Sequence, residues 1–147
     1  MIQRLDLSHQ ETLTAAFQLQ KDSYEEEAKL IGSRMIPPLL ETLDALRNAQ
    51  ERFYGELLEG RLVGLIAITE EPPHLRVSRL AVAPRAFGQG IGARLLEFAL
   101  EKAGPNQRTV VSTGKANTPA RRLYEKFGFR LNREFHAGEI AQVEYLK

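Results

Sequence analysis

The run Arg85-Ala86-Phe87-Gly88-Gln89-Gly90-Ile91-Gly92 lies between a segment of strand character and one of helical periodicity. Amides at a helix N-terminus have no intrahelical partner, and the helix dipole favours an anion there. Glycines let a phosphate reach that backbone with no Cβ in the way. The run can therefore cradle a pyrophosphate, and taken alone it can equally be a tight strand-to-helix turn. It is not a P-loop, because no Gly-Lys-Ser/Thr closes it. A dinucleotide fingerprint also fails: Ala93 and Leu95 stand where its last glycine belongs, and that pattern follows a first strand. Lys115, Arg121 and Arg122 crowd the start of a later helix. Cations there oppose the dipole at about 0.3–1 kcal/mol each, a cost that a bound anion would offset and a solvated basic turn would simply bear. Arg85 and Arg94 are further candidates for phosphate contact.

The other chemistry is limited by what the chain contains. There is no cysteine, so a thiol acyl-enzyme, a disulfide framework and a thiolate metal site are excluded. His9, His74 and His136 have no ligand spacing with carboxylates, and no metal is expected. A net charge of +1 gives no global pull toward nucleic acid or an anionic membrane. The N-terminus lacks the apolar run of a signal peptide, and Leu62 to Ile68 is too short to span a bilayer, so the chain reads as cytoplasmic. Its 147 residues suit one compact domain, 1–147, able to bury a substantial core.

These residues need elements to hold them. Ser8 and Glu11 have capping-box spacing, and Leu13, Ala16 and Phe17 give a helix one apolar face; the acidic run Glu25-Glu26-Glu27 reads as its end. Pro37-Pro38 breaks the chain before a second helix with Leu39, Leu43 and Leu46 on its buried side. Phe53 to Leu58 and Leu62 to Thr69 pair around Glu59-Gly60, and Leu75 to Val82 is a third strand. The glycine run opens a helix carrying Ile91, Leu95, Leu96 and Ala99 inward, and Thr109 to Thr113 is the next strand. Thr118 reads as an N-cap with Pro119 behind it and Gly128 at the stop. Phe129 to Phe135 and Ile140 to Leu146 close the chain as a hairpin around Ala137-Gly138. The order is β-α-α-β-β-β-α-β-α-β-β, an α/β fold in which a mixed sheet of six to seven strands carries helices on both faces.

The spacing Arg85-x-x-Gly88-x-Gly90 resembles the CoA-binding signature of the GNAT superfamily of N-acetyltransferases. The segment from Asn117 through Ala120, Leu123, Tyr124 and Gly128 to Phe129 is similar to that family's second hallmark, N-x-x-A-x-x-L-Y-x-x-x-G-F, and Leu80 to Pro84 resembles its strand before the loop. The resemblance is strongest from Val77 to Phe129. It implies the GNAT fold and an acetyl-CoA-dependent N-acetyltransferase acting on a primary amine of a small molecule or peptide. Amides of Phe87, Gly88, Gln89, Gly90, Ile91 and Gly92 would hold the pyrophosphate, with Arg85 and Arg121 beside it. The backbone of Leu80-Ala81-Val82 would pair with the pantetheine arm, and an amide near Val82 would face the oxyanion. Asn117 would hydrogen-bond near the arm, and Tyr124 would be the general acid at the thioester sulfur. From the residues alone, Tyr124 on an apolar helix side reads first as a core tyrosine. The sequence departs from the family in one respect: Leu75 to Val82 holds no carboxylate to serve as base. Glu25, Glu26, Glu27, Glu70, Glu71 and His74 are the remaining candidates. That departure keeps open a non-catalytic acyl-CoA-binding module. The terminal hairpin implies, by family likeness, a homodimer.

Overall fold

The computed structural model describes the whole chain, Met1–Lys147. Seven strands form one sheet: β1 (Ile2–Leu5), β2 (Arg52–Leu58), β3 (Arg61–Glu71), β4 (His74–Val82), β5 (Arg108–Gly114), β6 (Arg130–Ala137) and β7 (Ile140–Leu146). Their order across the sheet is β1-β2-β3-β4-β5-β7-β6. Every pairing is antiparallel except β4 with β5. The helices are α1 (Gln10–Ile31), α2 (Pro37–Leu40), α3 (Leu43–Arg47), α4 (Ile91–Lys102) and α5 (Thr118–Lys126).

Alternation along β2 sends Phe53 and Tyr54 to opposite faces. The Arg79 guanidinium lies over the Phe53 ring at 5.3 Å and bonds to Gln20 of α1, so α1 covers that face. Tyr54 packs on Phe98 of α4, centroids 4.9 Å apart, on the other. The sheet can receive α4 closely because of Gly64. A Cβ there would lie 2.6 Å from Ile91 Cγ2 and 2.9 Å from Leu95 Cδ1. No helix is long and apolar enough to cross a membrane.

Several local expectations are corrected. The α1 N-cap is His9, not Ser8, because the Ser8 hydroxyl and amide both bond to Asp6 Oδ1 instead. The helix also runs through Glu25-Glu26-Glu27 to Ile31 and ends at Gly32, φ 75°. Glutamate is a good helix former, and Tyr24 and Ala28 carry the buried stripe onward. The expected second helix is two short ones. Glu41 between them is extended, which delivers its carboxylate to Arg79 at 2.6 and 2.8 Å; Thr42 then caps α3 through Ala45 N–H at 3.1 Å. In α5 the cap is Asn117, whose Oδ1 accepts from Ala120 N–H at 3.3 Å, and Thr118 and Pro119 lie inside the helix. The last turn is Gly138-Glu139, since Ala137 pairs with Ile140.

One feature of register organises the functional end. On β3, Ala67 pairs with Arg79 and Ile68 with Val77, so Ser78 is an extra residue in β4. Such a bulge bends and twists its strand. The parallel pairing of β4 with β5 runs from His74↔Arg108 to Val77↔Val111 and stops at that bulge. Beyond it, Ser78 to Val82 and Ser112 to Gly114 diverge, leaving a wedge with one backbone edge of β4 open.

Candidate functional site

The wedge is filled from α1. The Val82 amide donates to Ser23 Oγ at 3.2 Å, and Tyr24 and Glu27 reach the same opening. Two clefts meet here. The larger, of about 810 Å³, lies between α1, the α2 segment, β4 and β5. The smaller, of about 410 Å³, runs from the wedge to the loop before α4 and is lined by Leu80, Val82, Phe87, Gly88, Gly90 and Asn117 among others. Tyr24, Glu27 and Leu80 line both.

The loop end of the smaller cleft is built for an anion. Gly88 and Gly90 have φ of 80° and 77°, conformations L side chains rarely adopt, and Gly90 is the α4 N-cap. The Phe87 amide is used by Pro84 O at 3.2 Å, which corrects its expected place among the free donors. From Gly88 through Gln89, Gly90, Ile91 and Gly92 to Ala93, no amide has an acceptor within the chain; the next bond is Arg94 N–H to Gly90 O at 3.1 Å. Consecutive free N–H groups at a helix start make an anion nest.

The basic side chains expected at that anion are engaged elsewhere. Arg121 donates to the Tyr145 hydroxyl at 2.9 Å and to Lys115 O at 2.9 Å, and does not line the smaller cleft; these bonds, with Glu125 close by, explain a cation tolerated in the first turn of α5. Arg94 grips Glu56 at 2.6 and 3.0 Å and Gln89 O at 3.1 Å, bracing the loop from outside. Arg85 is exposed and bonds to Leu62 O at 3.2 Å, outside the smaller cleft. Gln89 contributes an amide to the nest but no lining to the cleft. Ala81 is buried and paired with Leu65 of β3, on the closed side of the strand.

Tyr124 lies where α5 meets the sheet, its ring 5.9 Å from Phe129 and 5.8 Å from Tyr145. It is 4 % exposed and lines the larger cleft, and its hydroxyl has no partner within the chain. Burial, then the neighbouring Tyr24, Glu27 and Tyr145, push its pKa well above the usual phenol range, so it stays protonated. Tyr24 is likewise raised, by burial first and Glu27 second.

Glu27 is held from two elements. Asn117 Nδ2 donates to its Oε1 at 2.6 Å and Thr113 Oγ1 at 3.2 Å, while Asn117 Nδ2 also meets Thr113 Oγ1 at 3.1 Å. Because Asn117 Oδ1 caps α5, its Nδ2 is obliged to face Glu27. Burial raises the Glu27 carboxyl above the usual carboxylate range, and these two bonds only partly offset it. The other base candidates do not line both clefts, Glu26 reaching the smaller one alone. Glu25 pairs with Arg34 at 2.5 Å and Glu26 with Lys29 at 2.9 Å. Glu70 faces Gln107, Glu71 faces Arg76, and His74 is at the opposite end of β4 from Val82. Across the larger cleft, Arg79 is its only basic lining residue, and it is saturated by Glu41, Glu51 and Gln20 at 2.6–2.9 Å. Ser23, Tyr24 and Gln20 were not singled out from the sequence. A signal exists: Leu13, Ala16, Gln20, Tyr24, Glu27 and Ile31 continue one helical stripe at steps of three and four, and its second half turns polar.

Residues 13–129 match the acetyltransferase (GNAT) family. The UPF0157 protein YqkA of Bacillus subtilis is 34% identical over 126 residues, covering 84% of this chain and 37% of that protein. The chain spans little more than a third, 37–39%, of the length of the relatives it matches in this way. The ribosomal-protein-S18-alanine N-acetyltransferase of Escherichia coli has a similar fold, with a TM-score of 0.75 at 14% identity over 99% of this chain and 91% of that one. So does the PaiA N-acetyltransferase of Thermoplasma acidophilum in complex with coenzyme A, with a TM-score of 0.75 at 17% identity, covering 98% and 96%.

Proposed function

Because this chain belongs to the acetyltransferase (GNAT) family, we propose that it moves an acetyl group from acetyl-CoA to a primary amine by direct attack in a ternary complex. The observation that carries this reading is the meeting of two clefts at Tyr24, Glu27 and Leu80, where β4 and β5 part. One cleft ends in the amide nest and suits the cosubstrate; the other suits the acceptor.

The amides from Gly88 to Gly92 take the pyrophosphate. The pantetheine arm lies along the open edge of β4 at Leu80 and Val82, and Ser23 Oγ, which bonds to the Val82 amide, turns aside for it. That amide then faces the oxyanion as the carbonyl becomes tetrahedral. With both substrates held, attack is effectively unimolecular. The Tyr124 hydroxyl donates to the departing sulfur. A phenol made this weakly acidic acts mainly as a hydrogen-bond donor, because a thiol near pKa 8.5 holds its own proton less tightly. The acceptor cleft has an apolar wall at Ile31, Ile36, Pro37, Pro38 and Leu40. It suits an amine carried on an apolar body.

The test is thermal unfolding with acetyl-CoA against ADP, followed by thiol release with primary amines. A ligand at 100 times its Kd adds about 2.7 kcal/mol, a rise of several degrees for a chain of this length. No shift at millimolar acetyl-CoA refutes the cosubstrate. A shift without turnover on any amine favours the binding-module reading, which the absence of a β4 carboxylate supports.

A further inference from the structure

The acceptor amine is mostly protonated at neutral pH, and the reaction proposed above needs a group to take that proton. β4 offers none, since its one charged residue in the larger cleft, Arg79, is a cation bound on both sides by Glu41 and Glu51. We propose that Glu27, on the helix rather than the strand, is the general base, held in place by Asn117 and Thr113.

Three observations lead there. Glu27 lines both clefts, at the junction where amine and thioester must meet. Its Oε1 is fixed by Asn117 and Thr113, while Oε2 has no partner within the chain. It has no ion-pair partner, unlike its neighbours Glu25 and Glu26, so its proton affinity is not suppressed by a cation. The groups facing it are Tyr24 on α1, Asn117 and Tyr124 on α5 and Thr113 on β5, with Arg79, Glu41 and Glu51 across the larger cleft. Both tyrosines are neutral when it acts, because burial holds them protonated. The desolvation that raises Glu27 also makes it a better base at neutral pH.

The protons balance. Glu27 Oε2 removes one proton from the ammonium and passes it to water. The freed amine attacks the thioester carbon, forming C–N. As C–S breaks, the second proton of the nitrogen reaches the leaving sulfur through solvent while the Tyr124 hydroxyl hydrogen-bonds that sulfur, giving amide and CoA thiol. This step rests on the acetyl-transfer reading, so the experiment separates the two.

Wild type, Glu27→Gln and Glu25→Gln are compared with acetyl-CoA and three probe amines, 1,4-diaminobutane, phenethylamine and a short peptide with free N-terminal alanine, from pH 6 to 10. Glutamine keeps an oxygen for Asn117 and Thr113. The expected result is unchanged acetyl-CoA affinity in both variants and wild-type turnover in Glu25→Gln. In Glu27→Gln, kcat/KM at pH 7 falls about 10²-fold or more. That loss recovers as pH approaches the pKa of the amine, which a structural lesion would not do. An active wild type with a fully active Glu27→Gln, or a loss independent of pH, overturns the base assignment alone. A wild type that binds acetyl-CoA and acetylates none of the probes overturns both readings together.

Discussion

Tyr124→Phe removes one hydroxyl and little else. The ring contacts to Phe129 and Tyr145 at 5.9 and 5.8 Å do not involve that oxygen, and no group in the chain bonds to it. Stability should therefore hold, with Tm within about 2 °C of wild type. The effect on rate follows from what the hydroxyl can do. It is too weakly acidic to hand over its proton early, so its contribution is a hydrogen bond to a thiolate forming in a closed site. Bonds to charged groups are worth about 1.5–3 kcal/mol, which is a fall in kcat of about 10-fold to 150-fold. Acetyl-CoA affinity should stay within about twofold, because the thioester sulfur carries little charge before attack. The assay is release of CoA thiol read with a thiol-reactive chromophore, and the chain has no cysteine to add background. Full kcat in a folded Tyr124→Phe variant would remove Tyr124 from the chemistry. A loss of acetyl-CoA binding equal to the loss of rate would make it a wall of the cleft rather than a donor. Because the hydroxyl stays protonated, it should add no basic limb to the pH profile below pH 10.

Gly90→Ala forces a side chain onto φ 77°, a strain of about 1–2 kcal/mol, and disturbs the nest. Acetyl-CoA affinity measured by calorimetry should fall at least about tenfold, and an unchanged value rules out the loop as phosphate site. Glu27→Gln should also change stability: a carboxyl raised on folding disfavours the ionised form, so wild type loses stability as pH rises through the folded pKa. The variant should accordingly melt higher than wild type at pH 7, with the gain vanishing near pH 4; equal melting at both pH values would mean Glu27 is not desolvated. Thr113→Val deletes one of the two bonds that lower the Glu27 carboxyl, so the acid limb of kcat/KM should move to higher pH, and a limb that stays put disconnects Thr113 from the base. Arg79→Ala leaves Glu41 and Glu51 unpaired; breaking such a pair costs about 3–5 kcal/mol, readable in urea unfolding. Burial alone would raise Glu41, but Arg79 and Gln20 more than reverse this. The wild-type stability from that pair should therefore be present above pH 4.5 and be lost as pH falls through the lowered pKa.

The glycine run and the Asn117–Phe129 segment were legible because their conformation is written in local backbone. A positive φ requires glycine at Gly88 and Gly90, and a helix start requires a cap. The six strands from β2 onward were legible to within a residue or two for the same reason, through period and punctuation, while β1 was placed only by its order. Side-chain partners were not. Arg121 reads as a phosphate ligand until Tyr145, 24 residues on, is folded beneath it. Asn117 reads as a contact for the pantetheine arm until Glu27, 90 residues away, meets its amide nitrogen. Glu27 itself was hidden among three consecutive glutamates, of which two form ion pairs with Arg34 and Lys29 and one, unpaired, lines both clefts. Sequence order cannot separate them, but the three-and-four stepping from Leu13 to Ile31 does.

The position proposed for the base, on α1, follows from the bulge at Ser78. A strand that stops pairing leaves donors and acceptors exposed along one edge, and buried backbone groups must find partners. In β4 that edge is met by α1, with Ser23 on the Val82 amide and Tyr24 beside Leu80. A helix face that covers a polar edge has to carry polar side chains, so the apolar stripe of α1 changes character at Gln20. The same bulge places the Arg79 side chain toward α1, where Gln20, Glu41 and Glu51 enclose it. The strand is thereby left with open backbone and no carboxylate of its own at the junction of the two clefts. The proposed base therefore lies on the covering helix, where Glu27 is the carboxylate of the stripe that reaches both clefts and carries no cation.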